Sequence, residues 1–333
     1  MMKRTFILIL FIAGTAVLTS FIPSHKKTAE QAKPKIGLKT IIIDPGHGGS
    51  DNGARGLFST EDEVSLEVSL KLGEAIQKEY PDIKLIFTRT TDMFPGYKNN
   101  VNDALHYRAD LANKSGGDLF IAVHCNAAGK APGGWNAKRV TGYRNQTKKV
   151  KVKKKWVTRT VKVPIYETYW QENLVKGTET YIWAVSKNDA KVSSISKSTE
   201  EEEYGEQDST LTVEIPNPND PIEKARLLLY AQNYFRKSYQ FADYIEKGFK
   251  DQGRVDRGGV KQRNNKGIWV LQATGMPSVL VEIGFITNRD EEKYINSDEG
   301  QSEIVQNILG AVRSYKERLE GKPVPTETNT NKR

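Results

Sequence analysis

The sequence contains only one cysteine, Cys125, among 333 residues. This excludes an internal disulfide framework, and it also excludes a metal site built from several thiolates. Any metal that this chain holds therefore needs histidine and carboxylate ligands. Cys125 directly follows an apolar run, and we interpret it as a small residue at the end of a strand.

Aromatic residues are sparse where the positive charge is concentrated. The formal charge is +9 and the pI is near 9.3, and much of the basic excess lies in residues 148–155. Surfaces that bind nucleic acids interleave basic with aromatic side chains, so nucleic acid is not an expected partner. With 27% charged and 37% hydrophobic residues, the composition is that of a soluble globular protein whose charge allows an anionic partner.

The amino terminus lacks two common export features, because no Ala-x-Ala site follows its apolar run and no cysteine is present there for lipid attachment. Lys3 and Arg4 nevertheless precede an apolar run over residues 6–18, which is typical of an export signal. We predict a signal peptide or signal anchor over residues 1–24; in the second case residues 5–22 tether the protein to the inner membrane. Both outcomes place the rest of the chain outside the cytoplasm. The absence of a recognisable wall-anchoring repeat favours the periplasm of a Gram-negative cell.

Residues 41–51 have the sequence Ile-Ile-Ile-Asp-Pro-Gly-His-Gly-Gly-Ser-Asp. The β-branched run predicts a buried parallel strand, whose carboxyl end delivers His47 to a crevice of the kind where α/β sheets bind ligands. A lone histidine there either holds a metal or only occupies a glycine-rich turn. His124 also ends an apolar run, and Glu282 lies within one, where a carboxylate is costly to bury without a partner. We therefore interpret Glu282 as functional.

Glu61 opens a predicted amphipathic helix over residues 61–76, which Ser59 or Thr60 can cap. An acid in the first turn of a helix can cap it or bind a metal, and the residues alone leave both roles open. Further predicted elements are a strand over 84–89, a strand over 119–123, a helix over 222–249, a strand over 268–271 and a helix over 302–319.

Taken in order, these segments resemble the signature blocks of the zinc-dependent N-acetylmuramoyl-L-alanine amidases that cut bacterial peptidoglycan, the Amidase_3 family. The resemblance runs from about Thr40 to about Tyr315. It implies a single α/β domain with a twisted, mostly parallel central sheet and helices on both faces. It also implies hydrolysis of the amide bond between N-acetylmuramic acid and L-alanine, in wall remodelling and daughter-cell separation.

The resemblance further implies a role for each matching residue. His47, Glu61 and His124 are the expected Zn²⁺ ligands, with Glu63 as the fallback for Glu61, and Glu282 is the expected general base. His25 and His106 are not expected to be ligands. Substrate contact or support of the metal ligands is expected from Asp44, Arg89, Arg108, Asn126 and Glu179, with Arg89 pairing with Asp92.

Two insertions interrupt the expected catalytic domain of residues 40–320. Residues 129–175 alternate apolar and polar side chains, which predicts an exposed β-ribbon. Its basic part, residues 148–163, is either a solvated hairpin edge protected by lysines or a contact for an acidic glycan, a teichoic-type polymer, a membrane surface or a partner protein. The domain is expected to lie between a linker over residues 25–39 and a disordered tail over residues 321–333.

The second insertion, residues 193–220, is acidic. In family members regulated at cell division, an inserted helix in this neighbourhood places a glutamate over the zinc. That resemblance implies that an acid between Glu200 and Glu214 blocks the site until an activator protein relieves it.

Two other functions stay open from the sequence: a zinc peptidase or deacetylase that acts on another wall bond, and an inactive homologue that only binds the wall. Two histidines and a carboxylate can also hold iron or manganese, but no fingerprint of an oxidative cosubstrate is recognisable. Zinc is therefore the expected metal.

Overall fold

A run of three isoleucines lies in an inner strand of the main sheet. The computed structural model has six strands in this sheet: β1 (Thr40–Pro45), β2 (Lys84–Phe87), β3 (Leu119–Asn126), β6 (Thr178–Ile182), β7 (Asp256–Gln262) and β8 (Ser278–Phe285). Their order is β2-β1-β3-β8-β6-β7, and every neighbouring pair is parallel except β6 with β8. The predicted mostly parallel sheet is confirmed.

Helices cover both faces of this sheet. They are α1 (Glu61–Glu79), α2 (Val101–Lys114), α3 (Asn188–Glu203), α4 (Pro221–Asp251), α5 (Trp269–Ala273), α6 (Arg289–Ile295) and α7 (Asp298–Leu319). Ile41 and Ile43 pack in one hydrophobic cluster with residues of α1, α4 and α7, whereas Ile42 packs in a second cluster with residues of α2 and α5. Because side chains alternate along a strand, β1 is buried on both sides, which explains its unbroken apolar run.

The prediction of a strand over residues 268–271 is wrong. Trp269 instead begins the short helix α5, and the edge strand of this region is β7. An apolar run of this length fits a buried helix turn as well as a strand. Gly258 and Gly259 lie inside β7 with φ of 101° and 67°, and two adjacent glycines weaken the strand signal in the sequence.

The predicted ribbon is present as the antiparallel pair β4 (Gly134–Val152) and β5 (Lys155–Glu172). Lys153 and Lys154 form the turn, with φ of 45° and 71°. Positive φ at both central residues gives a two-residue turn whose twist matches that of the flanking strands. Most side chains of the two strands are exposed.

The structure describes residues 37–203 and 220–322, all within one compact unit that begins at Gly37. The predicted signal or anchor, most of the linker, most of the acidic insertion and nearly all of the tail lie outside the described residues. Within the described ranges, no helix combines the length and the apolar character needed to cross a bilayer.

Candidate metal centre

The turn after β1 brings His47 to the carboxyl edge of the sheet. His47 has a φ of 59°, and its Nδ1 lies 2.8 Å from the Asp51 Oδ2 atom. Gly46 allows the close approach of the second histidine, because a Cβ at this position would lie 2.5 Å from the Cε1 atom of His124. The glycine before His47 therefore has a packing reason for lacking a side chain.

Glu61, His47 and His124 meet in one cluster. Glu61 Oε1 lies 2.8 Å from His124 Nδ1 and 3.2 Å from His47 Nε2, and one ligand atom from each residue falls within 4.8 Å of the others. Glu61 is held by the Ala54 N–H, which donates to its Oε2, and by the Cys125 N–H, which donates to its Oε1. Two imidazoles and a carboxylate at this spacing can hold one divalent cation and are the donor set of many catalytic zinc sites.

Two of the three acids in the first turn of α1 have different roles. Glu61 turns into the cluster, whereas Glu63 accepts a hydrogen bond from the Thr60 N–H at 3.2 Å and so caps the helix. The fallback ligand, Glu63, is therefore occupied at the helix start and lies outside the cluster of three.

Opposite charges in the cluster favour the ionised forms. Burial lowers the pKa of His47, but hydrogen bonds and charges from Glu61 and Asp51 outweigh this effect and raise the pKa to about 9. Burial raises the pKa of Glu61, but His124 and His47 hold it well below its usual range. Since an imidazole must be neutral to bind a metal, metal binding here releases protons.

Glu282 lies beside this cluster on β8, where it is the register partner of His124 on β3. Its Oε1 lies 3.3 Å from an Arg263 guanidinium nitrogen, and its buried Oε2 has no hydrogen-bond partner among residues 37–203 and 220–322. Burial, followed by the charge of Glu61, raises the pKa of Glu282 to about 8, against the opposing charge of Arg263. Glu282 can therefore accept and hold a proton near neutral pH.

Arg108 and Arg89 support the turn that carries His47. Arg108 forms a buried ion pair with Asp44 and donates to the carbonyl oxygens of Pro45, at 2.8 Å, and of His47, at 2.5 Å. Arg89 donates to the Pro45 and Gly46 carbonyl oxygens at 3.2 and 2.7 Å. Both guanidinium groups hold the backbone of the turn in place.

The expected pairing of Arg89 with Asp92 is wrong. Arg89 donates to the backbone carbonyl oxygens of Gly46 and Asp62, each at 2.7 Å, whereas Asp92 accepts from the Gly49 N–H at 2.7 Å. Asp92 thus fixes the same turn from its other side.

Asn126 is oriented by Glu179, which lies on β6. The Asn126 amide donates to Glu179 Oε2 at 2.7 Å, and Glu179 also accepts from Tyr181, Arg257 and Lys261 at 2.7 to 2.8 Å. Burial raises the pKa of Glu179, but hydrogen bonds from these three groups outweigh it and lower the pKa to about 2. Glu179 is therefore an anion that is held in place by these hydrogen bonds, and it lies outside the three-residue cluster.

A cleft of about 510 Å³ opens over the cluster and is lined by His47, Glu61, His124 and Glu282. Two of its lining residues, Arg263 and Trp269, were missed by the sequence reasoning. Trp269 sat in an apolar run that was interpreted as strand core, and Arg263 follows the unrecognised strand β7. His106 stacks against Trp269 with 5.0 Å between ring centroids and is not among the residues that line this cleft.

Comparison with known proteins places this geometry in a family. The model of the N-acetylmuramoyl-L-alanine amidase family Amidase_3 matches residues 41–314. The chain is 25% identical over 280 residues to the amidase AmiC of Escherichia coli O6:H1, covering 83% of this chain and 52% of AmiC. It is 24% identical over 293 residues to AmiA of Escherichia coli K12, covering 88% of this chain and 81% of AmiA.

Among solved structures, the CwlD amidase from Clostridioides difficile, determined in complex with the GerS lipoprotein, is similar in fold. Its TM-score is 0.50 at 21% identity, covering 83% of this chain and 98% of that one. The chain spans about half the length of AmiC. Since the family match extends over most of the sequence, the chain belongs to the Amidase_3 family of N-acetylmuramoyl-L-alanine amidases.

Proposed function

We propose that this protein is a zinc hydrolase that cleaves the amide bond between the lactyl group of N-acetylmuramic acid and the L-alanine of the stem peptide in peptidoglycan. The observation that carries the proposal is the convergence of His47, Glu61 and His124, with ligand atoms within 4.8 Å of one another, in a cleft that also contains Glu282. Family membership supports the choice of substrate and bond.

The cluster fits zinc by the chemistry of its donors. Two imidazole nitrogens and one carboxylate oxygen leave a coordination position open, as catalytic zinc sites do. Asp51 accepts from His47 Nδ1, which fixes the ring so that Nε2 faces Glu61. When bound, zinc supplies Lewis acidity, which polarises the scissile carbonyl and makes a nearby water acidic enough to attack near neutral pH.

Glu282 moves the proton in this proposal. Its Oε2 takes a proton from the attacking water and returns it to the amine of L-alanine as the bond breaks. A pKa raised by burial suits this exchange, because the carboxyl group must both gain and lose the proton in one turnover. Arg263, 3.3 Å from Oε1, keeps the carboxylate oriented along the cleft.

We propose that the enzyme is exported to the periplasm and acts in wall remodelling and daughter-cell separation, with residues 5–22 as a tether if the signal is retained. The basic and apolar pattern at the amino terminus supports export. The predicted inhibitory acid between Glu200 and Glu214 stays a prediction. Replacing residues 200–219 by a glycine–serine linker removes every acid in that range and keeps Ile195 of α3 in its buried place.

The deciding experiment uses the chain from residue 35 onward, which includes the whole compact unit that begins at Gly37. Purified peptidoglycan is incubated with the zinc-loaded protein, with and without chelator, and beside Glu282→Gln. We expect mass spectrometry to find free stem peptides, which disappear with chelator and in the variant. Cleavage at another bond would instead assign a zinc peptidase or deacetylase.

If the folded, zinc-loaded protein releases no stem peptides, the linker variant described above is tested next. If that variant releases stem peptides, an inhibited amidase is established. If it is also silent, the proposed activity is wrong and the wall-binding alternative is favoured.

A further inference from the structure

The far half of the ribbon, residues 141–165, carries an unbalanced positive charge; we call this segment the distal ribbon. It contains nine lysine and arginine residues and no aspartate or glutamate, and the whole chain has a formal charge of +9. The rest of the chain is therefore neutral on balance. Within residues 37–203 and 220–322, none of the nine cations forms an ion pair with an acidic side chain.

The charges occupy both faces of the distal ribbon. Lys148 is the register partner of Arg159, so these two cations project from one face, and Lys149 and Lys151 project from the other. Like charges directly opposite each other destabilise a strand pair, and a two-stranded ribbon is marginally stable on its own. A binding role explains why the chain keeps these residues at a cost to the ribbon.

The ribbon is rooted at the same sheet edge as the metal centre. β4 begins at Gly134, shortly after Asn126, which lines the cleft. Backbone hydrogen bonds from Gly133 to Thr287 and from Asn173 to Gly133 hold its base at 3.0 and 3.2 Å. At the usual rise of a strand, the ribbon extends about 60 Å from this base. It is therefore long enough to reach well beyond the cleft.

The positions of the charged and apolar side chains on the distal ribbon indicate which class of partner it fits. A second copy of the distal ribbon is disfavoured by its own charge. An element that lies on a bilayer needs an apolar face separate from its charges, but Trp156, 69% exposed, shares its face with Lys149 and Lys151, and Val161 shares its face with Lys148. Cations on all sides fit a partner that can surround the ribbon, which is a mesh of anionic polymer.

We propose that the distal ribbon binds uncleaved peptidoglycan around the strand in the cleft, through the free carboxylates of neighbouring stem peptides. This inference rests on the proposed function for the identity of the mesh. The cations supply charge complementarity to the carboxylates, and Trp156 offers an exposed ring for the apolar face of a sugar. The ribbon then lengthens the residence time of the enzyme on the insoluble wall and leaves the chemistry at the scissile amide bond unchanged.

The binding test measures co-sedimentation of the chain from residue 35 onward with purified sacculi, in the inactive Glu282→Gln background. One variant combines Lys148→Gln, Lys149→Gln, Lys151→Gln and Arg159→Gln. We expect this variant to bind sacculi about tenfold more weakly than the parent, because it loses four exposed ion pairs with the wall. We also expect added salt to weaken the binding of the parent to sacculi. Sacculi whose carboxyl groups have been amidated should bind the parent as weakly as the variant binds native sacculi.

The matched control removes four exposed lysines from the body of the domain, by glutamine substitutions at Lys78, Lys84, Lys224 and Lys293. An equal loss of binding in this control would show that only the overall charge of the protein matters, and it would overturn the proposal. Unchanged binding by the ribbon variant would also overturn it. Binding of the parent to phosphatidylglycerol vesicles in preference to sacculi would assign the ribbon to a membrane surface instead.

Kinetics separate this inference from the proposed function. With Glu282 restored, the ribbon variant should lose activity on sacculi and keep its activity on a soluble disaccharide–peptide. If neither the parent protein nor the linker variant cleaves either substrate, the proposed activity fails, while ribbon-dependent binding to sacculi is measured independently.

Discussion

His124 and Glu282 are register partners on the neighbouring parallel strands β3 and β8, and Glu282 is in turn the register partner of Glu179 on β6. Partners in register project from the same face of a sheet. The sheet therefore sets a proposed metal ligand, a proposed base and a fixed anion in one row. Glu179 is satisfied by four donors, whereas Glu282 keeps a buried oxygen without a partner in the described part of the chain. This contrast distinguishes the carboxylate that we propose as the base from the one that is held by hydrogen bonds.

Glu282→Gln should lower the rate of stem-peptide release by about a thousandfold, within the usual range for loss of a general base. Zinc content should be unchanged, since Glu282 lies outside the three-residue cluster. Elemental analysis and product release measured on the same sample check both statements. A variant that lost zinc together with activity would show that Glu282 holds the metal site together.

The same substitution should stabilise the metal-free protein at alkaline pH. The pKa of Glu282 is about 8 in the fold against a usual value of 4.5. The fold therefore favours the protonated carboxyl group. Its contribution to the free energy of unfolding is fully present below about pH 4.5 and is lost as the pH rises through 8. Gln does not titrate, and Glu282→Gln should gain about 5 kcal/mol of unfolding free energy over the parent at pH 9. Urea denaturation with chelator present, at pH 5 and pH 9, tests this; equal pH dependence in both proteins would contradict it.

His124→Ala should abolish the stabilisation that zinc gives the parent. Free zinc at a thousand times its dissociation constant raises the unfolding free energy of a protein that binds it only when folded by about 4 kcal/mol. We expect this gain for the parent and none for the variant in denaturant titrations. His106→Ala is the matched control, because His106 stacks on Trp269 outside the cluster and its loss should leave the zinc effect intact.

The strands that end at the candidate metal centre could be predicted from the sequence because each is an unbroken apolar run. Such runs mark strands buried on both faces, as for β1, β3 and β8. The identity of the ligands needed the family resemblance, since an acid in the first turn of a helix fits a cap as well as a ligand. The structure assigns the cap to Glu63 and brings Glu61 to the two histidines.

The contacts that orient these residues could not be predicted, because they join segments far apart in the sequence. Arg263 reaches Glu282 from the loop after β7, a strand that its glycines conceal. Glu179 gathers donors from β3, β6 and β7. No local pattern records which arginine or lysine will face a given carboxylate, since that depends on the order of strands in the sheet.

Arg108→Ala should destabilise the protein by about 3–5 kcal/mol, because it leaves Asp44 charged and unpaired in a buried place. It should also weaken zinc binding by about tenfold, since Arg108 donates to the carbonyl oxygen of His47 and so orients a ligand. Urea denaturation and zinc titration measure the two effects. Adding Asp44→Asn to Arg108→Ala should restore part of the stability; a strictly additive double variant would mean that the ion pair is not what holds this region.

Glu246 on α4 gives a pH dependence that is independent of the metal centre. Burial raises its pKa to about 7, against a hydrogen bond from Thr180 that lowers it, and the charges of Asp256 and Glu179 raise it further while Lys261 opposes them. Its contribution to stability is therefore fully present below about pH 4.5 and is lost as the pH rises through 7. Glu246→Gln should leave the zinc-saturated protein about 3 kcal/mol more stable than the parent at pH 8 and little changed near pH 4.5. Urea denaturation at the two pH values measures this, with Glu74→Gln on the exposed side of α1 as control; a gain of the same size at both pH values would trace the effect to packing rather than to ionisation.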